Sequence, residues 1–181
     1  MEIMTILQTE LKTERLCLTR PYITDAEAMF NSLRDRKIFR YNTWRRHDSP
    51  VETLAFVNNL VARYENGDAE WVIRRKDDDE AMGIICLRDF PFENNCAEIG
   101  FWLGARFHGH GFGSEVVKKI VDFGFTENHL SKIVAFCHPK NAASLKILIK
   151  NGFFVEREEK NEFHGEDFEE TPILLKLSVF N

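Results

Sequence analysis

The 181-residue sequence lacks the features that mark several classes of protein. It has only 10 glycines and 5 prolines, which excludes a collagen-like or low-complexity chain. No apolar run approaches the roughly 18 residues of a membrane-spanning helix, and the first five residues do not resemble a signal peptide. None of the four cysteines forms a CxxC pair, which favours free thiols over a zinc ribbon or thioredoxin-type site. We therefore expect a cytoplasmic protein that does not enter a membrane.

Composition and charge favour a globular protein that does not bind nucleic acid. Hydrophobic residues make up 44% of the chain and charged residues 29%. The net charge of −5 is opposite in sign to that of a typical nucleic-acid binder. The length favours one domain, and there is no internal repeat or linker-like stretch. We expect a short extension over residues 1–10 and a single domain over residues 11–181.

Hydrophobic periodicity predicts an α/β chain of the α+β type, with a mixed sheet of about seven strands flanked by helices. Capping boxes at residues 24–27 and 49–52 predict the starts of two helices, and Asn141 is the predicted N-cap of another. The predicted helices cover residues 24–34 and 50–67, about four turns after Gly113, and the segment from Asn141 to Asn151. The predicted strands cover residues 15–20, 70–75, 81–87, 96–103, 132–137, 153–159 and 172–180.

A glycine-rich loop between a predicted strand and a predicted helix is the most informative segment. Residues 106–115 read RFHGHGFGSE, with glycines at alternate positions 109, 111 and 113. Exposed N–H groups at the start of a helix favour a bound anion. The dinucleotide fingerprint fails at Ser114, and the Walker A motif fails at His110. The loop is therefore either another kind of anion-binding loop or a glycine-rich turn at a strand–helix corner.

Four motifs in this order resemble the GNAT superfamily of N-acetyltransferases, and in particular its ribosomal-protein N-terminal (Rim-type) branch. They are EIGFWL at 98–103, GHGFGSE at 109–115, NAAS at 141–144 and NGF at 151–153. The opening TERL at 13–16 fits the same pattern, so the resemblance covers about residues 11–178. It implies a single-domain GNAT fold in which two neighbouring strands splay apart to hold acetyl-CoA.

The resemblance also implies which residues bind the acetyl donor. The loop N–H groups would bind the pyrophosphate, and the strand would pair with the pantetheine arm. His108 departs from the Arg or Gln usual at that position of the family. His108 and His110 form an HxH pair without an evident third ligand, so no metal is expected. The implied donor-binding residues are Phe101, Trp102, Leu103, His108, Gly109, His110, Gly111, Phe112, Gly113, Ser114, Asn141 and Ser144.

Two candidate catalytic residues follow from the resemblance, Glu98 and Ser144. Glu98 would act as the base through a water molecule, although a structural carboxylate on a strand is an equally open interpretation. Many members protonate the thiolate with a tyrosine at a position that is Leu148 here. The Rim-type branch uses the serine of the NxxS motif, which corresponds to Ser144. Ser144 also fits an ordinary first-turn residue, and Asn141 fits an N-cap.

The expected reaction is transfer of acetyl to a primary amine, with an N–H near Phe101 or Trp102 stabilising the oxyanion. At pH 7.5 roughly a third of an α-amine is neutral, against about 0.1% of a lysine amine, which favours a protein N-terminus or a small amine. The acid-rich segment 156–170 is either a rim that attracts a cationic acceptor or a solvated hairpin. Trp44 either lines the acceptor site or caps the core. The alternative function is a CoA-binding module without turnover, and the expected assembly is a monomer or homodimer.

Overall fold

A single mixed sheet of eight strands forms the centre of the fold. The computed structural model describes residues 9–41, 45–90, 94–160 and 173–181. The sheet order is β1-β2-β3-β4-β5-β6-β8-β7, antiparallel except for the parallel β5–β6 pair. Seven strands match the predictions, and the additional β1 has only two residues, too few to show a periodicity. The strands are Leu11–Lys12, Leu16–Thr19, Glu70–Arg75, Ala81–Asp89, Cys96–Leu103, Lys132–Cys137, Phe154–Lys160 and Ile173–Phe180.

Five α-helices cover the two faces of this sheet in the described part of the chain. Four of them confirm predicted helices, and α2 is a single turn that no periodicity predicts. A 3-10 turn, Ile23–Asp25, precedes α1, and another, Ala105–Phe107, follows β5. The helices are α1 Ala26–Leu33, α2 Arg36–Phe39, α3 Pro50–Glu65, α4 Phe112–Thr126 and α5 Ala142–Lys150.

Two of the three predicted helix starts are confirmed by their hydrogen bonds. The Ser49 hydroxyl accepts the Glu52 N–H at 3.3 Å, and the Asn141 side chain accepts the Ser144 N–H at 3.2 Å. The predicted cap at Thr24 is wrong. The chain turns earlier, and the Asp25 carboxylate accepts the Tyr22 N–H at 2.8 Å while it also binds Arg74. This buried ion pair with β3 decides how the helix begins.

Each face of the sheet has its own hydrophobic core. Helices α4 and α5 pack on one face, where Val116, Ile120 and Leu148 join the largest buried cluster. Helices α1, α2 and α3 pack on the other face, with Leu33 and Leu60 in a second cluster. We call these the α4/α5 face and the α1/α3 face.

The parallel pairing of β5 and β6 ends halfway along both strands. Three residue pairs join them, and the last is Glu98 with Val134. Beyond that pair β5 continues to Leu103 and β6 continues to Cys137 without pairing to each other. The splayed strand pair implied by the resemblance is therefore present. We call the space between these two strand ends the strand gap.

Some predictions lie outside the described residues. They include most of the proposed extension at residues 1–10, Trp44, and the greater part of the acid-rich segment 156–170. Strand β8 lies between β6 and β7, so its pairing is internal to the chain. No helix within the described ranges is long and apolar enough to cross a membrane.

Candidate active site

The main-chain N–H and C=O groups of β5 point alternately toward its two neighbouring strands, β4 and β6. Two hydrogen bonds between these neighbouring chain segments fix the pattern at both ends of the β4–β5 pairing. The Phe90 N–H, just after β4, donates to the Cys96 carbonyl, and the Gly104 N–H, just after β5, donates to the Met82 carbonyl. With the observed register, the main-chain N–H and C=O groups of the even-numbered residues of β5 therefore bond to β4. Those of the odd-numbered residues point toward β6. The Phe101 N–H thus faces the strand gap, whereas the Trp102 N–H is directed at Ile84. Of the two oxyanion donors expected from the sequence, this geometry favours Phe101.

Glu98 lies where the strand gap begins, on the α1/α3 face. The next residue, Ile99, packs in the α4/α5 core, so the Glu98 side chain points to the opposite face of the sheet. Trp102 lies on that same face. It stands directly opposite Arg88 on β4. Burial raises the pKa of Glu98, and the Arg88 charge only partly offsets this effect. A half-buried carboxyl with a raised pKa beside an opening in the sheet has the properties of a general base.

The glycine loop turns sharply into α4. Gly109 and Gly111 have φ angles of +82° and +84°, a left-handed conformation that favours glycine. The first main-chain bond of the helix joins the Glu115 N–H to the Gly111 carbonyl at 3.1 Å. The N–H groups of Phe112, Gly113 and Ser114 therefore have no acceptor within the helix. They form a cluster of donors suited to an anion.

Gly113 has a packing role that the sequence did not reveal. A Cβ at this position would lie 2.7 Å from Cδ1 of Ile147 on α5. The missing side chain therefore lets α4 approach α5. The absence of a side chain at this glycine therefore serves the contact between two helices, while its N–H remains among the donors at the start of α4.

Two loop side chains bond to neighbouring elements. The His108 Nε2 lies 2.9 Å from the Leu103 carbonyl, so this nitrogen carries the proton and donates. The Ser114 hydroxyl accepts from the Asn151 amide at the end of α5, at 3.2 Å. The loop is thus tied to the end of β5 and to α5, which frame the strand gap.

Comparison with known proteins agrees with this geometry. The family model described as "Acetyltransferase (GNAT) domain" matches residues 15–154. The uncharacterized N-acetyltransferase YoaA of Bacillus subtilis is 33% identical over 144 residues, covering 79% of this chain and 81% of its own. The chain belongs to the GNAT acetyltransferase family. It is accordingly an acyltransferase.

Further relatives of this GNAT protein extend the comparison. The ribosomal-protein-serine acetyltransferase of Escherichia coli is 28% identical over 108 residues, 60% of each chain. A GNAT acetyltransferase from Bacillus anthracis superposes with a TM-score of 0.82 at 23% identity, covering 95% and 98% of the two chains. Spermidine N-acetyltransferase from Vibrio cholerae, solved with CoA and spermine, gives 0.74 at 19% identity, covering 92% and 95%. The fold and the Rim-like resemblance are thereby confirmed.

The GNAT helix α5 begins on the far side of the strand gap. Asn141 caps it, and Ser144 lies three residues later in its first turn, half-buried. Leu148, at the position of the tyrosine found in many members, is 1% exposed and belongs to the main core. Of Asn141, Ser144 and Leu148, Ser144 is the residue that carries a hydroxyl group.

The α1/α3 side of the gap has a wall that the sequence did not predict. The ring of Tyr41, just after α2, stacks on His138, just after β6, with centroids 5.2 Å apart. Burial, and secondarily the charge of Lys140, lowers the pKa of His138. Tyr41 and His138 are 97 positions apart in the chain, so no local pattern links them.

The predicted residues divide into three groups by location. Phe101, Trp102 and Leu103 lie on β5 beside the gap, residues 108–114 form the glycine loop and the first residues of α4, and Asn141 and Ser144 begin α5. The side chains of Phe112 and Leu103 are buried in the main core, which leaves their main chain for contact with a ligand. His110 is exposed and its ring lies 5.8 Å from that of Phe112. Within the described ranges, no three or more His, Cys, Asp or Glu residues are grouped so that they could hold a metal ion.

Proposed function

We propose that this GNAT protein transfers an acetyl group from acetyl-CoA to a primary amine by direct attack of the amine on the thioester. The observation that carries the proposal is the strand gap, with Glu98 where it begins and the glycine loop beside it. The loop N–H groups suit the donor's pyrophosphate. The main-chain groups of β5 that face the gap suit the amide arm that precedes the thioester.

Each chemical task has a candidate residue. Glu98 takes a proton from the acceptor ammonium through water, which its raised pKa favours. The Phe101 N–H stabilises the charge that develops on the thioester oxygen. Ser144 protonates the departing thiolate. These three groups come from β5 and α5, which lie on opposite sides of the gap.

Direct transfer is favoured because the nearby thiols are poor nucleophiles. Burial raises the pKa of both Cys86 and Cys137 to about 11, so both are thiols at neutral pH. Cys86 shares the face of Glu98 and lies within 3.5 Å of the Gly100 carbonyl. An acyl-cysteine intermediate would need one of them to ionise.

We infer that the acceptor is an α-amine of a protein N-terminus or a small amine. One carboxyl base and no tyrosine at position 148 suit an amine that is already partly neutral. The relatives differ in this respect, since one is named for a ribosomal-protein serine and another for spermidine. Thiol release from acetyl-CoA, with N-terminal peptides and polyamines as acceptors, would identify the class.

The test of the catalytic assignment uses two variants, Glu98→Gln and Ser144→Ala. We expect Glu98→Gln to lower kcat by about 10²- to 10⁴-fold and Ser144→Ala to lower it by at least about tenfold, as for general acid–base groups. Affinity for CoA, measured by calorimetry, should hardly change. The matched control is Glu65→Gln, because Glu65 pairs with Arg20 away from the gap. Unchanged turnover in both variants would contradict these assignments.

The second candidate function is a CoA-binding module without turnover. The absence of a phenol at Leu148 favours it, because that group is the usual acid of many members. Its signature is tight CoA binding by the unmodified protein with no thiol release for any acceptor. The same two assays therefore separate the candidates.

A further inference from the structure

The N-terminal segment makes a dense set of contacts with the glycine loop. The Arg15 guanidinium donates from Nε to the Glu115 carboxylate at 2.7 Å and from Nη1 to the His110 carbonyl at 3.0 Å. It also lies 4.5 Å above the Phe112 ring. The Thr13 hydroxyl and the Arg15 N–H both bond to Glu115, at 2.5 and 2.9 Å. Residues 95 to 102 positions apart in the chain thus form one hydrogen-bonded unit, which we call the Arg15 clamp.

The bond to the His110 carbonyl has a consequence for the loop. In a trans peptide unit the carbonyl and the following N–H point in opposite directions. When Arg15 holds the His110 carbonyl on its own side, the Gly111 N–H must point away from Arg15. That N–H is one of the donors expected to bind the pyrophosphate. Glycines at 109 and 111 leave this backbone free to rotate, so the orientation needs an external restraint.

The clamp also neutralises the negative charge of Glu115, which would otherwise disfavour an anion at the loop. Glu115 lies in the first turn of α4, close to where the loop would hold a dianionic pyrophosphate. Burial alone would raise its pKa, but the bonds from Thr13 and Arg15 outweigh burial and lower it, so it is ionised at neutral pH. A bare carboxylate at this place would repel the donor. The Arg15 charge, 2.6 Å away, compensates it.

We propose that Arg15 is a positioning residue for acetyl-CoA, which acts by fixing the peptide between His110 and Gly111 and by neutralising Glu115. It does not take part in proton transfer. Packing alone does not account for the arrangement, because the Arg15 side chain is 44% exposed and its polar bonds go to the loop and its first helical turn. The inference rests on the proposed function in that the loop binds the donor's pyrophosphate.

The test compares two acetyl donors in the Arg15→Ala variant. Acetyl-CoA carries the pyrophosphate, and acetyl-pantetheine lacks it. We expect the variant to raise KM for acetyl-CoA and Kd for CoA by about tenfold or more, the usual effect of a lost charge-assisted bond. The kcat for acetyl-CoA and the kcat/KM for acetyl-pantetheine should stay within about twofold. A merely structural role would impair both donors alike.

Arg20→Ala is the matched control, since Arg20 is an equally exposed arginine that pairs with Glu65 instead of the loop. Arg15→Lys should recover only part of the affinity, because an ammonium cannot bond to Glu115 and the His110 carbonyl with the same fork. Equal losses for both donors, or none for CoA, would overturn the proposal. CoA binding is measured by calorimetry as well as kinetics. A wild-type protein that binds CoA without turnover would therefore refute the proposed function and leave this inference intact.

Discussion

At the residue scale, Glu98 depends on how its neighbours share charge. Arg88, directly opposite, donates a hydrogen bond to Glu70, which is 1% exposed and also accepts from Arg63 at 2.6 Å. Glu70 therefore holds the Arg88 guanidinium, and Arg88 acts on Glu98 through its charge, without a direct hydrogen bond. The raised pKa of Glu98 reflects burial that this charge only partly offsets.

Two variants should move the pKa of Glu98 in opposite directions. Glu70→Gln weakens the hold on Arg88 and removes a negative charge, so the pKa of Glu98 should fall. Arg88→Gln removes the offsetting positive charge, so it should rise further above the usual value of about 4.3. Carbon NMR of the Glu98 carboxyl across pH would measure both, with Glu98→Gln to assign the signal. A shift of the same sign in both variants would disprove this account.

At the element scale, a buried ion pair joins the turn before α1 to the sheet. The Arg74 Nη2 lies 2.7 and 2.9 Å from the two Asp25 oxygens, and its Nε donates to Thr19 at 2.8 Å. Both side chains are under a tenth exposed. This contact, made between residues 49 positions apart, is what moves the helix start away from the predicted cap at Thr24.

Loss of either partner should destabilise the fold strongly. We expect Asp25→Ala and Arg74→Ala each to lower the free energy of unfolding by about 3–5 kcal/mol, because each leaves a buried charge unpaired. The double variant should lose clearly less than the sum of the two, as measured by urea denaturation. The exposed pair of Arg20 and Glu65 is the comparison, and its removal should cost less than about 1 kcal/mol. Additive losses at Asp25 and Arg74 would show that the two charges do not stabilise each other.

At the scale of the whole molecule, the donor should stabilise the fold by binding the native state. At a concentration of 100 times Kd, acetyl-CoA should add about 2.7 kcal/mol. For a chain of this size, that should raise the melting midpoint by roughly 5 to 10 °C. ATP and NAD are the controls, since the loop matches neither nucleotide motif. Equal shifts with ATP would mean that the loop recognises phosphate alone.

How far the sequence predicts this fold depends on the range of the interactions involved. Ser49 and Asn141 cap their helices through bonds to residues three positions away, and such local chemistry is visible in sequence. The alternating and helical periods likewise predict seven of the eight strands. The stack of Tyr41 on His138 and the Arg15 clamp join distant segments, so they emerge only when the chain folds. A sequence signal for the clamp existed, however, because Arg15 of the TERL motif and Glu115 of the GHGFGSE motif carry opposite charges.

The strand gap also has a mechanical consequence. It divides the sheet into one part of five strands and another of three. Within the sheet these parts are joined by the pairing of residues 96–98 on β5 with residues 132–134 on β6. A donor whose amide arm fills the gap and pairs with the open edge of β5 adds contacts between these parts. The protein should thus be stiffer while acetyl-CoA or CoA occupies the gap and more compliant after CoA departs, so that each turnover carries a cycle of tightening and loosening across the sheet.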